Sequence, residues 1–358
     1  MTVVERAPAK LNLGLKILGK RADGYHDILS IFQTVDLCDE LALSDADAPE
    51  FMCDVSTVPA GPENLVLKAE RILRAAIGGG KPVRFTLRKR IPVGAGLGGG
   101  SSDAAAALRG LKRVYGANAV TDDVLTSCAA KLGSDVPFLL KGGTAVVSGR
   151  GERIQPVDWP FDFTYVIVFP GFSVSTAWAY SRVSRYSGDG GEYDAMIRNL
   201  AAGSLESGEF PRALSNDFEE VVYPEYPVLR KMRAIMREKG ADAALLTGSG
   251  SSMLGVFEDP DGADWCARAF RASAAWTPSL RVPYGGWLGL RGNRSIRTLT
   301  NAVPCASWEA SSPGRIPALP RLGPENSWPS IRSFSVCRSK ALCNSLCKAS
   351  PNSRASST

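Results

Sequence analysis

The chain has 358 residues, 44% hydrophobic and 22% charged, with 36 Gly and 23 Pro, which excludes collagen-like and wholly disordered classes and predicts many tight loops. His26 is the single histidine, so multi-histidine metal sites are ruled out and one candidate histidine base remains. The net charge of +6 is uneven: from Arg281 on, 11 basic residues face only Glu309 and Glu325, a net of +9, which leaves −3 for residues 1–280.

Nucleic-acid binding therefore does not follow from the overall basicity. No stretch approaches the ~18 consecutive apolar residues of a membrane helix. Met1–Arg6 lacks the apolar run of a secretory signal, so a cytoplasmic protein with reduced cysteines and no membrane partner is expected.

In chain order, residues 3–43 read as β structure, with Leu11, Leu13, Leu15 and Ile17 alternating with Asn12, Gly14 and Lys16. Leu65, Ala69, Ile72, Leu73 and Ala76 recur at helical spacing, and Gly78-Gly79-Gly80 ends that helix. Val83 to Ile91 alternates with arginines as a strand wet on one side. A glycine-rich loop follows, and Ser101-Ser102-Asp103 is placed to cap a helix over Ala104–Tyr115. A second helix is expected over Thr121–Leu132, a strand over Thr144–Ser148 and a domain boundary at Pro156–Pro160. The second half repeats the mixture: a buried strand at Tyr165–Phe169, a capping-box helix start at Asn216–Glu219, and a helix around Val228–Met236. Strands at Ala243–Leu246 and Met253–Phe257 and a helix at Asp261–Ala272 complete it. The fold class is α+β, with domains at 1–158 and 159–284. Residues 285–358 form a basic Ser/Arg/Pro-rich tail without helix or strand periodicity, expected to be disordered. A changed reading frame near residue 275 or a genuine basic appendage would each produce it.

Three loops can carry chemistry. In Pro92-Val93-Gly94-Ala95-Gly96-Leu97-Gly98-Gly99-Gly100-Ser101-Ser102 the glycines let backbone N–H groups converge on phosphate oxygens at a helix N-terminus, so an anion site is expected. Gly94, Gly96 and Gly99 also satisfy G-x-G-x-x-G, but the preceding strand carries arginines on one face, unlike the doubly buried strand of a dinucleotide fold. Lys10 and Asn12 share one strand face, either lining a cleft or simply solvated. Asp135 before Val136-Pro137 is either a helix cap or a catalytic carboxylate, and Gly248-Ser249-Gly250-Ser251-Ser252 is either a plain hairpin turn or a set of donors facing phosphate.

Taken together, Pro8-Ala9-Lys10-Leu11-Asn12, the glycine loop with Asp103, and Thr247-Gly248-Ser249-Gly250-Ser251-Ser252 resemble the GHMP kinase superfamily. Arg21-Ala22-Asp23-Gly24-Tyr25-His26, Phe32–Leu37, Gly133–Phe138 and Asn216-Asp217 make the likeness closest to a member that takes a cytidine-diphosphate-linked sugar alcohol, and it covers residues 5–275. The resemblance implies a two-domain fold, the first domain with a left-handed crossover and the second ferredoxin-like, with the site between them. It implies ATP-dependent phosphorylation of the 2-hydroxyl of that sugar alcohol, a step of non-mevalonate isoprenoid precursor synthesis.

On this resemblance Asp135 is the general base and Lys10 the charge stabiliser, while Pro92 to Ser102 binds ATP. Asn12 contacts the sugar alcohol, Tyr25 and His26 form a cytidine pocket, and Gly248, Ser249 and Gly250 bind substrate. ATP chemistry implies Mg2+, with Ser101 and Ser102 as candidate ligands beyond Asp135 and none assigned. Another GHMP kinase of a different alcohol is the alternative reading, and a nucleic-acid binder acting through the tail is the alternative of a different class. Oligomeric state is not legible.

Overall fold

The computed structural model describes residues 2–272 and the backbone of residues 333–338. Two long strands, β1 (Thr2–Lys20) and β2 (His26–Asp45), pair antiparallel and form the spine of the first sheet. One edge of β2 takes β1; the other takes β4 (Val83–Arg88) along its second half and β5 (Thr144–Gly149) along its first. β3 (Glu50–Cys53) joins β4 in parallel through the helix α1 (Leu65–Ile77), and β6 (Arg153–Pro156) joins β5. Strand β4 is buried at Val83, Phe85 and Leu87 and exposed at Arg84, Thr86 and Arg88, as its alternation predicts.

Helices α1, α2 (Gly99–Tyr115), α3 (Asp122–Leu132) and α4 (Val136–Lys141) cover one face of this sheet. Their ends follow local chemistry. The Asn64 side chain accepts from Val66 N and the Thr121 hydroxyl from Val124 N, satisfying amides that the first turn leaves over. Gly78 closes α1 in the left-handed region, φ 73°, where a side chain would be strained. The alanine run Ala104–Ala107 is fully buried, so α2 packs close on the sheet, and a Cβ on Gly110 would meet Leu43 at 2.6 Å.

The second sheet runs β10-β7-β9-β8, with β7 (Thr164–Phe169), β8 (Ala243–Leu246), β9 (Met253–Phe257) and β10 (Ser333–Arg338) all antiparallel. Both faces of β7 are buried. Tyr165, Ile167 and Phe169 meet the first sheet, while Val166 and Val168 face helices α5 (Thr176–Arg182), α8 (Glu219–Glu225), α9 (Pro227–Glu238) and α10 (Pro260–Ala272). Helices α6 (Gly191–Ala201) and α7 (Phe210–Ala213) close one side of the space between the sheets. The order of layers is helix, sheet, sheet, helix, an α+β architecture.

Two expectations need correction. Helix α2 begins at Gly99, so Ser101, Ser102 and Asp103 lie inside its first turns and Gly98 is the cap. At α8, Asn216 accepts from Phe218 N, but Glu219 accepts from Leu246 N, at the end of the edge strand β8, instead of closing a capping box. Past residue 284 the described residues hold one strand, β10, whose Ser333–Arg338 pairs with Phe169–Thr164 along one edge of β7. The remaining tail lies outside the described residues.

Candidate active site

Lys10 and Asn12 lie on β1 between two register shifts, one between Pro8 and Lys10 and one between Asn12 and Leu15. Such irregularities re-aim side chains. Both point into the molecule: Lys10 is 5% exposed and Asn12 1%. Lys10 Nζ donates to Asn12 Oδ1 at 2.6 Å, lies 3.5 Å from Asp135 Oδ2, and sits 4.4 Å from the centre of the Phe32 ring. The solvated-lysine reading is thereby excluded.

Asn12 is held from its other side. Its Nδ2 donates to Ser30 Oγ at 3.0 Å, Ser30 donates on to Gly14 O at 2.6 Å, and the Asn12 amide donates to Thr247 Oγ1 at 2.9 Å. Asp135 occupies the cap position of α4 without making a side-chain cap bond, which leaves its carboxylate directed at Lys10, with 28% side-chain exposure. Asp135 is thus the cap residue of α4 by position, but its side chain caps no amide.

The glycine loop lies against this pair. Gly94, Gly96 and Gly98 have φ of 69°, 79° and 69°, which only glycine adopts freely. A Cβ on Gly98 would stand 2.9 Å from Lys10 Cγ and 3.6 Å from Asp135 Oδ2, so the loop and the Lys10–Asp135 pair share one space. A backbone bond from Lys10 N to Leu97 O, 3.0 Å, ties loop to strand. The first intrahelical bond of α2 is Ser102 N to Gly98 O, so the amides of Gly99, Gly100 and Ser101 precede it at the positive end of a 17-residue helix. Ser102 contributes no hydroxyl to this site: it is buried and donates to Pro8 O at 2.7 Å.

The third loop packs onto the first. A Cβ on Gly96 would meet Thr247 O at 2.7 Å and Gly250 O at 2.9 Å, and one on Gly248 would meet Gly96 O at 3.0 Å and Asn12 Oδ1 at 3.3 Å. Ser252 N donates to Ala95 O at 3.3 Å. The Ser249 hydroxyl shares a 2.8 Å hydrogen bond with Thr176 Oγ1 at the start of α5. Asn216 secures the turn, donating to Leu246 O and Gly248 O at 2.7 and 2.9 Å.

An aromatic group adjoins these residues. The His26 ring stacks on Tyr180, with centroids 4.8 Å apart and planes 16° from parallel, and lies 6.0 Å from Tyr186. Burial, then the nearby Lys20 charge, hold the His26 pKa below its ordinary 6.5, so its imidazole is neutral at pH 7. The Tyr180 hydroxyl is pushed up to about 12, chiefly by burial and then by the Asp135 carboxylate. Tyr25 stands apart from this stack, 58% exposed, with Arg150 4.9 Å above its ring. Ser30, Tyr180 and Tyr186 lie outside the motifs legible in the sequence. Only the two tyrosines left a trace, as a pair six positions apart in a Ser/Arg-rich segment.

Among the described residues, no helix is long and apolar enough to cross a membrane. The model of the GHMP kinases N terminal domain matches residues 64–143, and that of the GHMP kinases C terminal domain residues 196–275. The 4-diphosphocytidyl-2-C-methyl-D-erythritol kinase of Chlorobium phaeobacteroides (strain BS1) is 42% identical over 268 residues, covering 74% of this chain and 93% of that protein. The protein of the same name from Geobacter sp. (strain M21) is 37% identical over 272 residues, covering 75% and 95%. A crystal structure of 4-(cytidine 5'-diphospho)-2C-methyl-D-erythritol kinase superposes with a TM-score of 0.62 at 36% identity, covering 75% of this chain and 96% of that one. Homoserine kinase from Cytophaga hutchinsonii, at 19% identity and a TM-score of 0.60 over 75% of this chain and 89% of its own, shares the fold. With a glycine cradle at a helix N-terminus and both family models matched in order, the chain belongs to the GHMP kinases and is an ATP-dependent small-molecule kinase.

Proposed function

We propose that the chain transfers the γ-phosphoryl group of ATP to the 2-hydroxyl of 4-diphosphocytidyl-2-C-methyl-D-erythritol, with Asp135 as general base and Lys10 as charge stabiliser. The observation that carries this reading is the Lys10–Asp135 pair, 3.5 Å apart, set against Gly98 at the start of α2. A hydroxyl held beside both groups meets a carboxylate that accepts its proton and an ammonium that stabilises charge on the transferring phosphoryl oxygens. Phosphoryl transfer asks little more of a protein than such positioning and charge.

Gly94 to Ser101 fit the nucleotide phosphates, since a Cβ at Gly98 would occupy the space beside Lys10 that the loop leaves open. No group of three His, Cys, Asp or Glu among the described residues is arranged to hold a metal ion. Asp135 and Ser101 are the oxygen groups that would hold a magnesium ion accompanying ATP, and that ion would neutralise phosphate charge. Asn12, held by Ser30, presents a fixed amide to the sugar alcohol, and the Gly248–Gly250 turn closes the site over it. Neutral His26 offers one donor and one acceptor to a pyrimidine edge, and exposed Tyr25 offers a face for stacking.

The aromatic group around His26 favours the cytidyl substrate over other alcohols. An ATP-coupled assay of the purified chain tests this with three acceptors, the cytidyl substrate, mevalonate and homoserine. Turnover confined to the cytidyl compound supports the proposal, and equal or greater turnover of either other acceptor contradicts it.

A further inference from the structure

Beneath the first turn of α2 lies a buried charge cluster that the chemistry above does not use. Lys89, just past β4, has a side chain only 5% exposed and donates to Asp39 Oδ2 and, at 2.8 Å, to Asp103 Oδ2. Asp39 is fully buried and otherwise satisfied, its Oδ1 accepting from the amides of Arg90 and Ile91. Asp103 is also buried, in the second turn of α2, and its Oδ1 has no hydrogen-bond partner. The Lys89 backbone is fixed separately, its N donating to Asp54 Oδ1 at 2.9 Å.

The location sets the cluster apart from an ordinary core ion pair. A Cβ on Gly99 would stand 2.9 Å from Lys89 Nζ, so the ammonium lies directly against the first residue of the helix whose amides face the nucleotide. Two carboxylates at this depth oppose phosphate binding, because charge interactions are weakly screened away from water. A buried carboxylate near a helix N-terminus also competes with phosphate for the positive end of the helix. One ammonium shared between Asp39 and Asp103 offsets one of their two charges, burial pushes the Asp103 carboxyl up to about 7 so that it is partly protonated, and the closeness of the ammonium to Gly99 fixes the turn.

We propose that Lys89 is a positioning residue for the nucleotide: without touching ATP, it offsets the negative charge of Asp39 and Asp103 beneath α2 and so keeps the helix N-terminus receptive to phosphate. The inference rests on the assignment of that turn to the ATP phosphates. Lys89→Met retains the volume and removes the charge. A purely structural lysine, once replaced, would lower stability and weaken all ligands alike. A charge-balancing lysine predicts a loss that grows with ligand charge and is rescued by removing a carboxylate.

Calorimetry on the full chain, with a non-hydrolysable ATP analogue and with ADP, separates the two. The expected result for Lys89→Met is at least about a 10-fold loss of affinity for the analogue, a smaller loss for ADP, and an unchanged KM for the alcohol substrate. Adding Asp103→Asn should bring the analogue back to within about 3-fold of the unaltered protein. Equal losses for both nucleotides, or no rescue, overturn the inference. Should Lys89→Met fail to fold, Asp103→Asn alone decides: tighter binding of the analogue is expected, and unchanged or weaker binding overturns it. If the unaltered protein does not bind the analogue, the ATP-site assignment fails with it; if it does and the variants behave alike, only the role of Lys89 fails.

Discussion

Lys10 Nζ stands 3.5 Å from Asp135 Oδ2 but 2.6 Å from Asn12 Oδ1, so the ammonium is hydrogen-bonded to a neutral amide and paired with the carboxylate through charge alone. On the proposed role of Asp135, a direct Lys–Asp hydrogen bond would engage the oxygen that is to receive the proton. On that reading, the longer separation keeps the partly exposed Asp135 carboxylate free of a lysine hydrogen bond while Lys10 stays close enough to act on developing charge.

Asp135→Asn and Lys10→Met should each lower kcat by at least about 10²-fold, since both groups act mainly in the transition state. Affinity for a non-hydrolysable ATP analogue, measured by calorimetry, should change by less than about 3-fold. Near-normal turnover in either variant removes these residues from the chemistry.

Glycines two positions apart should fail differently. On sequence grounds, side chains at Gly96 and Gly98 both intrude on phosphate. In the structure, a Cβ on Gly96 meets the backbone carbonyls of Thr247 and Gly250, whereas one on Gly98 meets the Lys10 side chain. Gly96→Ala should therefore lower Tm by at least about 4 °C, because backbone cannot yield, while Gly98→Ala should displace Lys10 and reduce kcat with a smaller change in Tm. Thermal melts beside steady-state kinetics check this, and equal effects on Tm would contradict it.

His26→Ala should raise KM for the cytidyl substrate and leave KM for ATP unchanged. Because burial lowers the folded-state pKa of His26 below 6.5, the folded protein takes up this proton less readily than the unfolded chain. His26 therefore costs nothing above pH 6.5, and its unfavourable contribution to stability grows as the pH falls below that value. The KM for the cytidyl substrate should rise over the same acidic range, and this rise should vanish in His26→Ala. A rise that persists in the variant assigns the pH effect to another group.

Most secondary structure was legible because hydrophobic period and punctuation agree: α1, α3, β8 and β9 fall where alternation, caps and glycines place them. Short β3, β6 and α7 escape such reading because four residues carry no period. In the site, contiguous motifs exposed Lys10, Asn12, Asp135 and the glycine loop, whereas their supports were hidden. Ser30 lies 18 residues from Asn12, and Thr247, itself inside a legible motif, lies 235 from it, so only pairing across strands and loops reveals their contacts with Asn12. Lys89 reads as one more cation in a basic strand end, and its burial follows from Asp39 and Asp103, each of which is separated from it in sequence.

The tail should not be wholly dispensable. From sequence, everything beyond residue 285 can be trimmed without consequence, but Ser333–Arg338 hydrogen-bonds the edge of β7, a strand buried on both faces. Deleting residues 333–338 should lower Tm by at least about 3 °C and quicken proteolysis of the second sheet, with kcat at low temperature retained. An identical Tm would mean that β10 adds nothing to that sheet.

The most direct test of the central claim is 31P NMR of the product formed from ATP and 4-diphosphocytidyl-2-C-methyl-D-erythritol carrying 13C at its C2 carbon. The account predicts a new phosphomonoester signal coupled to that carbon, formed by the unaltered chain and at least about 10²-fold more slowly by Asp135→Asn. No new phosphomonoester, a phosphate on any other hydroxyl, or equal rates from the two proteins would contradict it.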